Sequence, residues 1–340
     1  MYRLLETMRF EPYVVCEFNP YSLPGLRICH PTDTEAFDLI VYHHSLYWPR
    51  GEALLKAASC PVIFRYHNIT PAHFFERYTK LYSETCRLGR EQTECLITVP
   101  GRHFWLADSE YNRNELISEG ADPAAVGVMP PFTRAEALLK EVGQPMNRSG
   151  RIDLLFVGRF APNKGHKHLV RIVKAFSREH SEKVLLRIVG SIDPALDCYY
   201  REIVKEIMDF GLQNQVEIWP QCSDSDLKAI FLASHVYLCC SKHEGFCVPI
   251  VESQALGLPV VAASESAVGE TAGESQLLAD IPRTETDYSF YAAMVDKVTS
   301  DICLRKQLIS TGYRNVRTRF LNELVENAFA GAIYNVLRAP

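Results

Sequence analysis

The chain has 340 residues, of which 47% are hydrophobic and 23% are charged, and its formal net charge at neutral pH is −5. A chain of this length and ordinary globular composition typically forms two domains. The acidic balance disfavours a dedicated nucleic-acid binder, because the neutralisation of phosphates requires an excess of lysine and arginine.

The cysteines and the N-terminal residues bear on the cellular compartment. The chain has 11 cysteines, without a Cys-x-x-Cys pair or a Cys/His cluster at zinc spacing, and most lie in apolar runs, as expected in a reducing cytoplasm. The N-terminal segment lacks the basic and apolar regions of a signal peptide, and no apolar run is long enough to span a membrane. We therefore expect a soluble, cytoplasmic protein, and contact with the inner face of a membrane is left open.

Short apolar segments alternate with longer helical patterns along the chain. Several segments are nearly continuous in valine, isoleucine, leucine and phenylalanine, as expected of parallel strands that are covered on both faces. This order predicts an α/β architecture with parallel sheets. The predicted strands cover residues 13–16, 39–42, 62–65, 104–107, 126–129, 153–157, 184–189, 216–219, 236–239 and 259–262. The predicted helices cover 72–94, 112–119, 165–180, 195–210 and 225–232, with one or two more in the tail 301–337.

The segment 141–150, EVGQPMNRSG, has the composition of a linker. It contains glycine, proline and serine and lacks periodic apolar residues. A new apolar strand follows at once. We therefore place an N-terminal domain over 1–147 and a C-terminal domain over 151–320. A helix over 321–340 follows and could cross back to the N-terminal domain.

The segment LLFVGRFAPNKGHKHLV joins a buried strand to a helix through a loop with two cations. Gly158 ends the strand, and Arg159 and Lys164 flank the loop before a helix that begins near Gly165. Loops at the carboxyl ends of parallel strands bind ligands in open α/β sheets, and a helix N-terminus there attracts anions. The pattern is that of a diphosphate site. The alternative is that both cations are solvated loop charges.

The segment SKHEGFCVPIVESQALGLPVVAAS carries two acidic residues eight positions apart. Glu244 lies in the loop after a buried strand, and Glu252 lies about one turn inside the helix that follows. The neighbours of Glu252 are apolar, and a buried carboxylate needs hydrogen-bond donors, which sugar hydroxyls can supply. In the alternative interpretation, Glu252 complements the helix dipole and Glu244 is a surface charge.

Two histidine-containing segments of the N-terminal half also follow predicted strands. In FRYHNITPAHFFERY, His67 and Asn68 come directly after a buried strand, and in YHHS the weaker candidates His43 and His44 do the same. Ser109, in FWLADSEYNRNEL, precedes a predicted helix. The histidine positions suit a binding site, and a histidine that only orders its loop is the alternative for His67.

The paired-glutamate segment resembles the Glu-x7-Glu signature of retaining family 4 glycosyltransferases. Its HEGFCVPIVES part is similar to bacterial transferases that build polysaccharides and lipopolysaccharide O-chains, many of them mannosyltransferases. The resemblance extends over residues 38–280 and includes FVGRF, NKG, SHVYLCCSKHEGF and ETAG in this order. It implies the GT-B fold, in which two facing Rossmann-like α/β domains with parallel sheets enclose a cleft.

The resemblance also implies roles for individual residues. Arg159 and Lys164 would hold the donor diphosphate and stabilise the leaving group. Glu244 would bind hydroxyls of the transferred sugar, and Glu252 those of the ribose. His67 would approach the donor sugar from the N-terminal domain. The other residues implied in the donor site are Gly158, Gly190, Gly245, Phe246, Asn68 and Ser109.

The implied activity is the transfer of a hexose, with mannose as the best guess, to an acceptor hydroxyl with retention of the anomeric configuration. The donor would be a nucleotide sugar, GDP-mannose or a UDP-sugar, bound by the C-terminal domain. The acceptor would be a glycan or a lipid-linked glycan on the N-terminal side. No acid or histidine spacing matches a metal facial triad, so that neither a metal nor another cofactor is expected. A nucleic-acid partner is not expected either, because the chain has an acidic net charge.

The N-terminus departs from the family pattern, in which a first strand leads into a glycine-rich loop. This chain begins instead with MYRLLETMRF, and no such loop is visible, so that we expect a shortened N-terminal domain. Two alternatives to a glycosyltransferase stay open. One is a sugar-nucleotide epimerase or a phosphorylase of the same architecture, and the other is a non-catalytic or truncated sugar-nucleotide-binding protein.

Overall fold

A computed structural model describes residues 1–16, 28–29, 37–101, 103–140, 150–181 and 183–338, with only the backbone at 28–29. The predicted linker 141–150 lies outside the described residues except for Gly150. The described chain forms two α/β units, each built on a parallel sheet.

The N-terminal unit contains a four-stranded parallel sheet and a separate pair of short strands. The pair consists of β1 (Val14–Val15) and β2 (Ile28–Cys29). The sheet has the order β3-β4-β5-β6, with β3 (Ile40–His44), β4 (Val62–Tyr66), β5 (His103–Ala107) and β6 (Val126–Val128). The predictions for these four strands are confirmed to within one or two residues, because each is a short, largely apolar run that is buried in a sheet.

The helices of the N-terminal unit differ from the prediction in several places. They are α1 (Tyr2–Thr7), α2 (Pro49–Ala57), α3 (Lys80–Ile97), α4 (Glu110–Ser118) and α5 (Ala135–Leu138). Helices α1, α2 and α5 were not predicted. The predicted helix over 72–94 is wrong in its first part, where a 3-10 turn at Ala72–Phe74 and a loop precede α3. In that loop Phe75 is 2% exposed in the core, so that tertiary packing outweighs local helical preference.

The C-terminal unit contains a six-stranded parallel sheet in the order β12-β11-β10-β7-β8-β9. Its strands are β7 (Arg151–Val157), β8 (Lys183–Val189), β9 (Val216–Trp219), β10 (Val236–Cys239), β11 (Val260–Ala263) and β12 (Leu277–Ala279). The order changes direction between β7 and β10, which are neighbours in the sheet. At such a point the loops from the two carboxyl ends diverge and leave a crevice.

Helices cover both faces of this sheet and continue to the end of the described chain. They are α6 (His166–Glu179), α7 (Asp197–Asp209), α8 (Asp224–Ala233), α9 (Val248–Ala255), α10 (Ala267–Ala272), α11 (Glu285–Ser300), α12 (Ile302–Arg319) and α13 (Asn322–Arg338). The tail, for which one or two helices were predicted, contains α12 and α13, whereas α10, α11 and β12 were not predicted. No helix among the described residues is both long and apolar enough to cross a membrane.

Helix α13 follows the C-terminal unit in sequence but packs against β4 and β5 of the N-terminal sheet. Val325, Phe329 and Ile333 of α13 form one buried cluster with Ile63 of β4 and Leu106 of β5. Full burial of an aliphatic or aromatic side chain contributes about 1.5–3 kcal/mol, so that this cluster ties the two units together.

Candidate active site

The carboxyl ends of both sheets face a common cleft with a cavity of about 500 Å³. Loops that follow β7 and β10 form its wall on the C-terminal side, at the crevice described above. The predicted site residues in the wall are Arg159, Lys164, Glu244, Gly245, His67 and Asn68. The other predicted residues, Gly158, Gly190, Phe246, Ser109 and Glu252, lie outside this lining.

Lys164 and Glu244 form an ion pair on the C-terminal wall. Lys164 Nζ lies 2.7 Å from both carboxylate oxygens of Glu244, and the side chains are 17% and 11% exposed. After Lys164 the chain turns at Gly165, which has a φ of +69° and whose Cβ, if present, would lie 1.9 Å from the carbonyl oxygen of Cys240. The backbone thus holds a cation and an anion where each can exchange its partner for a ligand, a phosphate for Lys164 and hydroxyl donors for Glu244.

Arg159 is an exposed cation in the wall of the same cavity. Among the residues that the structure describes, it forms no ion pair. The pKa of the nearby Asp193 is lowered, mainly by hydrogen bonds from the Tyr82 hydroxyl and the Ala195 backbone, and further by the charge of Arg159. The Arg159 guanidinium is therefore available to an anionic ligand.

The N-terminus of α9 adds backbone N–H groups beside these cations. The amides of Gly245, Phe246 and Cys247 precede the helix, and none of the three donates to another described residue. The ring of Phe246 is buried against Phe320, with the ring centroids 5.2 Å apart, so that its backbone rather than its ring can meet a ligand. Unpaired amides at a helix N-terminus favour an anion.

Gly158 and Gly190 lie side by side where β7 and β8 end. A Cβ atom on Gly190 would lie 2.1 Å from the carbonyl oxygen of Gly158. Close packing of the two strand ends thus accounts for Gly190 irrespective of any ligand. Trp219 ends the adjacent strand β9 and is 38% exposed.

Glu252 lies in the first turns of α9 and is bound by an arginine that the sequence analysis missed. The Glu252 side chain is 8% exposed, and its Oε1 accepts a hydrogen bond of 3.0 Å from Arg134 Nε. Arg134 Nη1 also lies 3.0 Å from Asp224 Oδ1. Arg134 stands in no recognisable motif, so that only the folded chain shows this contact.

On the N-terminal wall, His67 belongs to a row of polar side chains. His67 Nδ1 lies 3.1 Å from Asp108 Oδ2 and His67 Nε2 lies 2.8 Å from His43 Nδ1. The other oxygen of Asp108 lies 2.5 Å from Arg65 Nη2, and Arg65 is 1% exposed. Desolvation by the surrounding protein is the main cause that lowers the pKa of His43 to about 4, although the residue remains partly exposed. Both ring nitrogens of His67 therefore have protein partners.

Hydrogen bonds across the cleft fix Asn68 between the two units. Asn68 has a φ of +68°, its Oδ1 lies 2.6 Å from His243 Nε2, and its amide nitrogen donates to Asn112 Oδ1 at 2.8 Å. Asn112 in turn donates to the carbonyl oxygen of Gly245 at 3.1 Å. Ser109 is 1% exposed, and its hydroxyl caps α4 by accepting from the Asn112 amide. Asn68 and Ser109 thus hold the cleft walls in place.

Two acidic residues of the C-terminal unit make further contacts across the cleft that the sequence analysis missed. The Glu270 carboxylate accepts hydrogen bonds from the amides of Glu110 and Tyr111, at 2.8 and 3.1 Å. Glu202 binds Arg77 and the hydroxyl of Tyr78, at 2.6 and 3.0 Å. These contacts join segments that are distant in sequence, and no local pattern indicates them.

Two parallel-sheet α/β units that face a shared cleft define the GT-B fold, and solved structures agree. HepE from Anabaena, solved in complex with UDP and glucose, superposes with a TM-score of 0.71 at 16% sequence identity, over 91% of this chain and 86% of that one. Sucrose-phosphate synthase from Thermosynechococcus elongatus gives a TM-score of 0.69 at 19% identity, over 89% and 75% of the two chains. The predicted fold class is confirmed.

Sequence relatives narrow the class to a family. A D-inositol 3-phosphate glycosyltransferase of Thermomonospora curvata is 29% identical over 251 residues, or 68% of this chain and 56% of the relative. A GDP-mannose:cellobiosyl-diphosphopolyprenol alpha-mannosyltransferase of Xanthomonas oryzae pv. oryzae is 28% identical over 153 residues, or 45% and 38%. This chain thus spans about half or less of the length of these relatives. The profile of the family described as glycosyl transferases group 1 matches residues 141–314, and the chain belongs to that family.

Proposed function

We propose that this protein is a retaining glycosyltransferase that moves a hexose from a nucleoside-diphosphate sugar to a hydroxyl of a growing glycan. The observation that carries the proposal is the convergence of Arg159, Lys164, Glu244 and Gly245 on one cavity, where the Gly245 amide donates to no other described residue. This set offers positive charge to a diphosphate and hydrogen-bond acceptors to a sugar, side by side.

The chemistry that this set performs is mainly electrostatic. As the bond between sugar and phosphate breaks, negative charge develops on the departing diphosphate. Arg159, Lys164 and the amides before α9 are placed to stabilise that charge without reorganisation. When a diphosphate engages Lys164, Glu244 gives up its cation and its carboxylate becomes free to accept hydrogen bonds from hydroxyls of the transferred sugar.

Glu252 is proposed to bind the ribose hydroxyls. Arg134 occupies Oε1 of its carboxylate, and Oε2 accepts no hydrogen bond from the described residues. The ribose can therefore bind Oε2 while Arg134 holds the carboxylate in position. Arg134 would in this way support the donor site without leaving Glu252.

For the donor, GDP-mannose is our first choice and a UDP-sugar the second. The relative of Xanthomonas oryzae is named a GDP-mannose-dependent mannosyltransferase, whereas HepE was solved with UDP. A thermal-shift screen across GDP-, UDP- and ADP-sugars tests the choice, since a ligand that binds only the folded state raises the melting temperature. We expect a GDP-sugar to give the largest increase, and no increase with any nucleotide sugar would contradict the proposal.

Activity tests follow from the same residues. Arg159→Ala, Lys164→Ala and Glu244→Ala should each lower donor turnover by roughly ten- to a hundredfold, because a charge-assisted contact contributes about 1.5–3 kcal/mol. Lys306→Ala, at an exposed position of α12, is the matched control and should leave turnover unchanged. Near-normal turnover in all three variants would refute the site. Release of free sugar and nucleotide without an acceptor would instead indicate an epimerase-like or hydrolytic enzyme.

A further inference from the structure

Both ring nitrogens of His67 have hydrogen-bond partners, whereas only one ring nitrogen of the neighbouring His43 has a partner among the described residues. His67 binds Asp108 through Nδ1 and His43 through Nε2. His43 engages His67 through Nδ1, and no described residue makes a hydrogen bond with His43 Nε2. The row Arg65–Asp108–His67–His43 therefore ends in a ring nitrogen without a partner among the described residues.

The protons of this row can be assigned from its charges. A carboxylate that is paired with a guanidinium accepts hydrogen bonds and donates none, so that His67 Nδ1 carries a proton toward Asp108. Arg65 already balances the charge of Asp108, and a second positive charge on His67 would have no counterion in the row. His67 Nε2 is then an acceptor, and His43 Nδ1 donates to it.

The assignment leaves His43 Nε2 as a hydrogen-bond acceptor. In a neutral imidazole one nitrogen carries the proton and the other offers a lone pair. The lowered pKa of His43 agrees with a neutral ring. Asp108 and His67 thus fix both the tautomer and the orientation of His43, as a carboxylate does for a histidine in other sites.

His43 also lies on the acceptor side of the cleft. His67 lines the cavity that contains Arg159 and Glu244, whereas His43 lines an adjoining cavity at the edge strand β3, with Tyr42 and Trp48 among its walls. The described residues that line the second cavity all belong to the N-terminal unit. A group bound at His43 therefore lies next to His67, which lines the cavity with the donor contacts.

We propose that His43 is an acceptor-binding residue, whose Nε2 accepts a hydrogen bond from the hydroxyl that receives the sugar. The inference deepens the proposed function and rests on it. His43 orients the hydroxyl toward the donor, and Asp108 and His67 are positioning residues that keep the Nε2 lone pair open.

Nitrogen NMR of the histidine rings tests the protonation pattern. In wild-type protein near neutral pH, His43 and His67 should both show the tautomer protonated at Nδ1, with the signals assigned from His43→Asn and His67→Asn. An Nε2-protonated or doubly protonated His43 would overturn the inference. This readout needs neither donor nor acceptor, so that it is independent of the proposed function.

A matched pair of variants tests the role in acceptor binding. Asparagine at position 43 keeps a donor near the Nδ1 position but lacks the outer acceptor, whereas glutamine keeps an acceptor near the Nε2 position. With methyl mannoside, methyl glucoside and D-inositol 3-phosphate as probe acceptors, His43→Asn should lower the kcat/KM for the acceptor about tenfold. His43→Gln should retain more of it, and the KM for the donor should not change in either variant.

The control and the outcomes separate the two proposals. His180→Asn, at the end of α6, should leave both parameters unchanged. Wild-type transfer with an unaltered acceptor kcat/KM in His43→Asn would overturn the role of His43 and leave the glycosyltransferase intact. Absence of donor binding by the wild type would overturn the proposed function instead. Should none of the probes accept sugar, the NMR experiment tests the inference, and an Nε2-protonated His43 would overturn it.

Discussion

No side chain fits at position 190. The carbonyl group of Gly158 occupies the space that a Cβ on Gly190 would need, while the amide of Gly190 donates to Trp219 at 3.0 Å and that of Gly158 to Val189 at 2.9 Å. The two glycines therefore set how closely the loops after β7 and β8 approach each other. Arg159 follows directly, so that its position depends on this packing.

Gly190→Ala should destabilise the protein by about 1–3 kcal/mol, because overpacking forces the two backbones apart. Displacement of the loop should also weaken donor binding through Arg159. Urea denaturation and the donor thermal shift measure the two effects.

A second glycine supplies the control for that substitution. A Cβ on Gly331, inside α13, would meet nothing within 4 Å, so that Gly331→Ala should stabilise the protein by about 0.5–1 kcal/mol. Equal stability of both alanine variants would contradict the packing argument.

At the scale of elements, α4 shows how the two units share a helix end. Ser109 caps it from within, and the carboxylate of Glu270 from the other unit accepts the amides of Glu110 and Tyr111. A carboxylate at a helix N-terminus is stabilising, typically by 0.3–1 kcal/mol. Here the same contact also holds the cleft together, since α4 carries Asn112, which binds Gly245.

Glu270→Ala should therefore release the first turn of α4. The amides of Glu110 and Tyr111 lose their acceptors, and their hydrogen exchange should become about tenfold faster than in the wild type. Mass spectrometry of a peptide that covers residues 109–113 gives the rate. Glu274→Ala, at an exposed position nearby, is the control. Unchanged exchange in Glu270→Ala would show that α4 does not depend on the other unit.

The elements that the sequence predicted share a simple physical basis. The strands β4, β7, β8 and β10 are nearly continuous apolar runs because both of their faces are largely buried, and this pattern is local. Helix α3 was misplaced at its start because the burial of Phe75 decides the break, and that burial depends on the sheet. Helix α11 was missed although Thr284 and Asp287 form a capping box, a signal that the sequence does contain.

At the scale of the whole molecule, the contacts between the units escaped prediction. The loops with Arg159, Lys164 and Glu244 could be placed at one sheet edge, because the carboxyl ends of parallel strands share that edge. The partners of His243, Glu252 and Glu270 could not be placed, since they depend on how two separately patterned units face each other. The residues of the C-terminal wall of the cleft were therefore predicted more fully than those of the N-terminal wall.

The junction between the units should make stability depend on pH. Burial is the main cause that lowers the pKa of His243 from 6.5 to about 4, and His243 is 5% exposed against Asn68. Because its pKa is lower in the folded state, its neutral form stabilises the protein above about pH 6.5, and this contribution is lost as the pH falls toward 4.

Acidification from about pH 7 to about pH 5 should cost about 1–2 kcal/mol at this residue. His243→Gln keeps a hydrogen-bond donor for Asn68 but does not titrate, so that its free energy of unfolding should fall less over this range. Urea denaturation at the two pH values measures the difference, with His180→Gln as a control that retains the wild-type slope. If the free energy of unfolding fell equally with pH in His243→Gln and in the wild type, the proposed contribution of His243 would be contradicted.

The placement of α13 has a consequence for the order in which the protein is made. Val325, Phe329 and Ile333 cover Ile63 and Leu106, yet more than two hundred residues are synthesised between Leu106 and α13. While the nascent chain grows on the ribosome, the part of the four-stranded sheet that α13 covers therefore stays exposed. It becomes buried only after the whole C-terminal unit has emerged.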